Sequence, residues 1–246
     1  MTTRLNAYLA RSGVASRRAA DKLIASGSVK VNGQVAPPEG LLVDPDRDQV
    51  TVDGHQVKPP SRHRYIALNK PLGVITTARD ESGRTSVLDV VGDEGMAGHR
   101  LFPVGRLDAD STGLLLLTDD GDLAFRLTHP RFHVTKEYVA VVGGSVKATD
   151  LNRLRHGVSL DDGVTRPAEV EVLRVLPGPQ TELRIVIGEG RHRQVRRMLL
   201  AVGLRVQSLR RSGFGPLRLG RLKVGGWKVL GEAEVAALRR ATRTPV

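Results

Sequence analysis

The chain contains no cysteine, which excludes a disulfide framework and any thiolate metal site. Aromatic residues make up only 3% of it, so a surface that grips single strands by repeated stacking has little to build on. No apolar run approaches the roughly 18 residues of a membrane-spanning helix; Leu114 to Leu117 has only the length of a strand. The N-terminus lacks the charged-then-apolar pattern of a signal peptide, and together with the missing cysteine this gives the expectation of a cytoplasmic protein. Acidic residues are in the minority as well, 26 Asp and Glu against 38 Lys and Arg, for a net charge of +12. Such an excess suits a polyanionic partner, nucleic acid ahead of a membrane surface.

What is present is enough for a real core: 246 residues, 40% hydrophobic and 26% charged, a length that suits two unequal domains. The first is expected over residues 1–60. Leu5, Tyr8 and Leu9 share one face of a short helix, and Ser16 caps a second in which Ala19, Ala20, Leu23 and Ile24 turn inward. Short strands around Val29 and Val31 and over Val50 to Val52 end at the turn pairs Asn32-Gly33 and Asp53-Gly54. Residues 1 to 33 carry six Lys and Arg against Asp21 alone, so Arg4, Arg11, Arg17, Arg18 and Lys30 are candidates for RNA binding on a basic face. Lys58-Pro59-Pro60-Ser61-Arg62 reads as a linker, with the second domain over residues 61–246.

In that larger part, strand-like runs (Tyr65 to Asn69, Gly113 to Thr118, Lys136 to Val142, Ala168 to Val175, Glu182 to Ile187, and short ones after Leu204) outnumber helices. The helices are expected over Asp119 to Leu127 capped by Thr118, Asp150 to Arg155 capped by Thr149, Arg193 to Val202 closed by Gly203, and Glu232 to Arg240. Without regular βαβ alternation, the pattern predicts an α+β fold: a small N-terminal α/β RNA-binding domain, then a mixed, mostly antiparallel sheet flanked by helices.

Three windows carry possible chemistry. In GRLDADSTGLLLLTDDGDLAFRLTHP, residues 105–130, a polar loop with Arg106, Asp108, Asp110 and Ser111 precedes a strand rigid enough to hold it. Aspartates before a strand are commonly turn residues, and a two-metal nuclease could draw on Asp108, Asp110, Asp119, Asp120 and Asp122, although four leucines separate the groups. Lys136 and Tyr138 lie two apart in a strand and so share a face, a cation beside a flat ring. Arg191 to Met198 opens a helix whose apolar face is Val195, Met198, Leu199 and Val202, leaving Arg193, Arg196 and Arg197 to meet phosphate or a carboxylate. From 181 to 223 there are eleven Lys and Arg against two acids, a density that favours function over a solvated face. His129 and His133 are four apart, but Pro130 breaks helical spacing, and no metal site is expected there.

In order and spacing these windows resemble the RsuA/RluB family of ribosomal RNA pseudouridine synthases, and LARSGVASRRAADKLIASGSVKVNG resembles the alpha-L RNA-binding domain that its members often carry. The resemblance implies isomerisation of uridine to pseudouridine in ribosomal RNA, the large subunit being favoured by likeness to RluB-type members. It further implies that Asp108 is the catalytic carboxylate, that Tyr138 stacks on a flipped base and that Arg196 pairs with Asp108. Arg106, Lys136, Arg191, Arg193, Gln194 and Arg197 would bind RNA around them. Asp119 and His192 depart from the family pattern, where Asn is common at both. No cofactor is required by an isomerisation, and a monomer acting on ribosomal RNA or an assembly intermediate is expected. A non-catalytic RNA-binding or ribosome-assembly protein on the same fold is the alternative.

Overall fold

The computed structural model describes residues 2–78, 80, 82–178 and 180–243. The chain divides into two compact units, Met1–Arg64 with Met96–Leu101, and Tyr65–Gly95 with Phe102–Val246.

In the first unit a short strand, β1 (Thr3–Arg4), leads into α1 (Leu5–Arg11) and α2 (Arg17–Ala25). The Ser16 side chain accepts the Ala19 N–H at 3.2 Å, the expected cap. Strands β2 (Val29–Val31), β3 (Gln34–Val35), β5 (Val50–Val52) and β6 (His55–Val57) form an antiparallel sheet in the order β3-β2-β5-β6, while β4 (Leu42–Val43) pairs with β1. Leu5, Tyr8, Leu9, Ala20, Ile24 and Val29 close the core; Ala19, expected inward, is exposed. The expected linker is pinned instead of loose. Tyr8 donates its hydroxyl proton to Val57 O at 3.0 Å, Arg11 donates to Pro60 O at 2.9 Å, and Pro59 is buried.

The second unit is built on a nine-stranded sheet, mixed but mostly antiparallel. Its main path runs β13 (Glu169–Leu176), β14 (Gln180–Ile187), β10 (Lys136–Gly143), β15 (Arg205–Phe214), β9 (Thr112–Thr118), β7 (Tyr65–Lys70), β17 (Trp227–Val229). Strand β8 (Phe102–Pro103) adds to β9 and β16 (Leu217–Arg218) to β15. The run after Leu204 is therefore one ten-residue strand, longer than its broken hydrophobic pattern suggests. Among the described strands of this sheet, β9 and β15 pair in parallel, with Gly113 facing Arg211. Leu114 to Leu117 are all buried, because both faces of this central strand are covered.

Helices α3 (Val87–Met96), α4 (Gly121–Thr128), α5 (Ala148–His156), α6 (Gln194–Ala201) and α7 (Glu232–Arg240) complete the chain. Two caps differ from expectation. Asp120, not Thr118, caps α4, accepting the Leu123 N–H at 3.0 Å while the Thr118 hydroxyl accepts from Asp120 N. Asp150 reaches back to the Lys147 N–H at 3.0 Å, so α5 starts before Thr149. At α4 the carboxylate takes the first-turn N–H because a charged acceptor binds such an orphan donor more strongly than a hydroxyl does. One core forms around β7, β9, α4 and α7, a second around β10, β14, α5 and α6. Strand β15 belongs to both, with Leu209 in the second and Phe214 in the first.

Candidate active site

The loop that carries Asp108 is held from behind. Thr76 donates its hydroxyl proton to Leu107 O at 2.6 Å and accepts the Leu107 N–H at 3.2 Å, and Gly73 N donates to Ala109 O at 2.8 Å. A turn closed by Ser111 N and Asp108 O at 3.0 Å then feeds β9. With Leu107 buried on one side, the Asp108 carboxylate is turned to the other and stays about one third exposed, 34%.

It faces a cavity of about 240 Å³. The walls are Gly105 to Asp108 and Ser111 from this loop, Lys136 and Tyr138 from β10, Gly190 to Val195 at the start of α6, and Leu209, Arg211 and Phe214 from β15. The alternation of β10 thus delivers Lys136 and Tyr138 to one side, as their spacing predicts. The pocket lies where the two cores meet, with Tyr138, Val195 and Leu209 from one and Val104 and Phe214 from the other. An apolar floor with a carboxylate and several cations on its rim can hold a flat, polar-edged ring.

The arginines of the basic helix are distributed differently from the sequence expectation. Arg193, in a left-handed conformation (φ 48) as the N-cap of α6, approaches Asp108 at 3.6 Å and binds Asp110 with both Nη atoms at 3.2 and 2.8 Å. That fork, with Arg196 beside it, holds the Asp110 carboxyl below the usual carboxylate range. Arg196, expected to pair with Asp108, instead donates to Asp110 O at 2.7 Å and lies 3.4 Å from the Asp110 carboxylate. The αL turn swings the preceding arginine towards Asp108, while Arg196, a turn into the helix, braces the loop backbone.

Arg191 and Arg197 are not free for phosphate. Both are committed to a hairpin that the sequence did not reveal, β11 (Ser159–Leu160) and β12 (Gly163–Val164). Arg191 donates to Asp162 O, Gly163 O and Val164 O at 3.1, 2.9 and 2.8 Å, and Arg197 forks onto Asp162 at 2.7 and 3.1 Å. Arg197, and after it Arg191, holds the Asp162 carboxyl down at about 2. Gln194 is also withdrawn: only 4% exposed, it donates to Glu189 at 2.6 Å and accepts the Arg191 N–H at 3.0 Å. A buried amide has to satisfy its polar atoms within the protein, and here it joins the two ends of the turn before α6.

Arg106 stands exposed at the rim. In the first unit Arg4, Arg17, Arg18 and Lys30 are exposed, whereas Arg11 is half-buried and tied to Pro60. The acids of the nuclease alternative separate: Asp120 caps α4 and accepts the Tyr65 hydroxyl at 2.7 Å. Among the described residues no three His, Asp or Glu converge as a metal site would need. Arg166 contacts the ring of His133.

Lys70 and Arg211 enter the site from positions the motifs did not rank, and Lys136 joins them from the second window. Lys70 ends β7 fully buried, its amine donating to Pro71 O at 2.9 Å. Burial lowers its pKa to about 8 against the opposing pull of Asp108 and Asp110. Burial, with Arg211 adding to it and Glu189 opposing, does the same to Lys136, also about 8. Arg211, 2% exposed, lines the pocket from β15. The signal available for Lys70 was a cation closing an otherwise apolar strand, and for Arg211 the alternation of β15.

A lowered lysine pKa means that the folded state binds fewer protons than the unfolded chain between pH 8 and 10.5, so stability rises with pH across that window and the cost of the buried charge is fully present below it. Wild-type protein should therefore gain on the order of 1–3 kcal/mol between pH 8 and 10.5 relative to Lys70→Met. Parallel denaturant titrations at the two pH values measure the difference; identical pH slopes in both proteins would contradict a strained ammonium at this position.

Comparison with known proteins places these features in a family. A profile described as RNA pseudouridylate synthase matches residues 64–201, and one described as S4 domain matches residues 3–45. The chain is 42% identical, over 96% of its length and 95% of the other, to ribosomal large subunit pseudouridine synthase B of Bacillus subtilis (strain 168). It is 44% identical, over 98% and 95%, to an RNA pseudouridine synthase of Aquifex aeolicus (strain VF5). A crystal structure of a pseudouridylate synthase superimposes with a TM-score of 0.68 at 30% identity, covering 96% of this chain and 99% of the other.

Proposed function

Because the chain belongs to the RNA pseudouridylate synthase family and is an RNA pseudouridine synthase, we propose that it isomerises a uridine of large-subunit ribosomal RNA, with Asp108 as the catalytic carboxylate. The observation that carries this is Asp108 itself, braced through Leu107 by Thr76, facing a pocket of single-base size that Tyr138 and Phe214 also line. The reaction detaches uracil from its glycosidic nitrogen, turns it and rejoins it through carbon 5, with no net redox change or hydrolysis. A carboxylate serves by attacking the sugar or the ring, or by removing a sugar proton. Arg193 and Arg196 hold it in place through the Asp110 loop.

A stacked uridine cannot reach such a pocket, so the nucleotide flips out, at a cost of roughly a few kcal/mol, and Tyr138 replaces part of the lost stacking. Backbone contacts offset that cost. Arg17 and Arg18 sit exposed in the first turn of α2, which contains no acid; two cations there oppose the helix dipole and are best satisfied by phosphate. We take the substrate to be the ribosomal RNA itself or an assembly intermediate, bound by a cytoplasmic monomer. Mapping pseudouridines in ribosomal RNA from cells with and without the gene tests the assignment: one or a few large-subunit uridines should lose the modification and regain it on complementation, and an unchanged map would refute it.

The phosphate contacts separate in a salt titration. Arg106→Ala should lower the slope of log K against log salt by about 1. Arg197→Ala should leave the slope unchanged, because its charge is already neutralised by Asp162. Equal slope losses would return Arg197 to the RNA-binding surface.

A further inference from the structure

The pocket holds more buried positive charge than the resting protein can use. Arg211 is 2% exposed. Its Nε donates to Leu114 O at 2.7 Å, but Nη2, equally shut off from water, has no hydrogen-bond partner among the described residues. Among the described residues no carboxylate pairs with the guanidinium, and the Phe214 ring lies 5.2 Å from it. Lys136, on the adjacent strand of the same pocket, spends its amine on the Val134 carbonyl at 3.0 Å. A buried, unpaired guanidinium beside a second cation is costly unless something anionic arrives. Close approach of the strands fixes it there, since Gly113 sits against the Arg211 backbone and leaves no room for it to shift.

We propose that Arg211, seconded by Lys136, is the anion-holding group of the reaction: it receives the carbonyl oxygens of uracil and stabilises the base as it leaves the sugar. This rests on the assignment of the uridine isomerisation to this pocket. When the C1′–N1 bond breaks, its electron pair goes to N1, and the detached uracil is an anion with charge shared by O2 and O4. After rotation, C5 supplies the pair for the new C1′–C5 bond and the C5 proton passes to water. Whichever role Asp108 plays towards the sugar, the same uracil anion is formed, and a fixed donor in a dry site stabilises such charge most where it develops. Tyr138 supplies a stacking face and Arg211 a charged edge, which would also favour a ring with two carbonyls over cytosine, whose exocyclic amine repels a donor.

The test compares two transcripts of unmodified large-subunit ribosomal RNA, one with uridine and one with 5-fluorouridine throughout, under single-turnover conditions with the full chain. Conversion of the N-glycoside is read by nuclease digestion and mass spectrometry. Fluorine withdraws electrons and makes the base a better leaving group, so it substitutes in part for the cation. Arg211→Gln should slow conversion of uridine by about 100-fold and of 5-fluorouridine by less than about 10-fold, with RNA affinity and its salt slope unchanged. Arg211→Lys, which keeps the charge but loses the fork, should show the same narrowing with a smaller loss and serves if the first variant fails to fold. Equal slowing on both transcripts would overturn the proposal in favour of a purely structural arginine, and a loss carried by affinity with a smaller salt slope would make Arg211 a phosphate anchor. A wild-type enzyme inert on both transcripts would instead refute the assigned reaction on this RNA.

Discussion

Asp108→Asn should lower pseudouridine formation at least about 1,000-fold while RNA affinity stays within a few-fold of wild type. The amide fills the space of the carboxylate, and the surrounding frame does not depend on its charge: Thr76 holds Leu107, Gly73 holds Ala109, and Arg193 keeps its two bonds to Asp110. What disappears is the ability to attack the sugar or take its proton. The affinity is assigned to exposed cations such as Arg106, Arg17 and Arg18, whose charges the exchange leaves in place. A protein that only binds RNA would lose nothing by the exchange. Single-turnover rates and equilibrium binding of the same preparation measure both halves, and a variant active within tenfold of wild type would remove Asp108 from the chemistry.

The second large effect concerns packing beneath the site. Gly113→Ala should lower stability by about 3 kcal/mol, a fall in Tm of about 10 °C for a protein of this size. Gly113 has φ 104, and a Cβ there would stand 2.3 Å from the Arg211 carbonyl oxygen and 2.8 Å from its nitrogen. The neighbour is backbone in the parallel junction of β9 with β15, so it cannot rotate away. Because the same junction seats Arg211 and begins just after the Asp108 loop, catalysis should fall further than the melting temperature alone explains. Calorimetry and rate measurements below Tm separate the two; a shift under about 2 °C would show that the strands give way easily.

Much of the architecture was legible because it rests on short-range rules. The period-two pattern of Lys136, Tyr138 and Ala140, the apolar block at Leu114 to Leu117 and the turn pairs Asn32-Gly33 and Asp53-Gly54 each specify local geometry without reference to the rest of the chain. The final helix, Glu232–Arg240, was readable from its periodicity. Caps were less so. Thr118 and Asp120 can both start α4, and the choice falls to Asp120, which is fixed in addition by Tyr65 from β7, 55 residues earlier.

The site was legible as three windows but not as a set of contacts. Spacing put Arg193, Arg196 and Arg197 on an open helical face; only the fold shows that Asp162, in a hairpin with weak strand signals, takes Arg197 and Arg191, and that the left-handed turn at Arg193 brings that residue to Asp108. Lys70 and Arg211 were harder to single out for a related reason. A lysine ending a strand and one arginine among eleven cations look like solvated charge, and their burial is decided by partners elsewhere in the sheet.

Incubating the purified chain with unmodified large-subunit ribosomal RNA in the presence of chelator and mapping the product tests most directly whether this pocket isomerises uridine. The RNA should stay intact, with one or a few specific uridines converted to pseudouridine without change in mass, and Asp108→Asn should give no conversion under the same conditions. Cleaved RNA, a requirement for added metal, or equal conversion by the variant would contradict uridine isomerisation at this pocket.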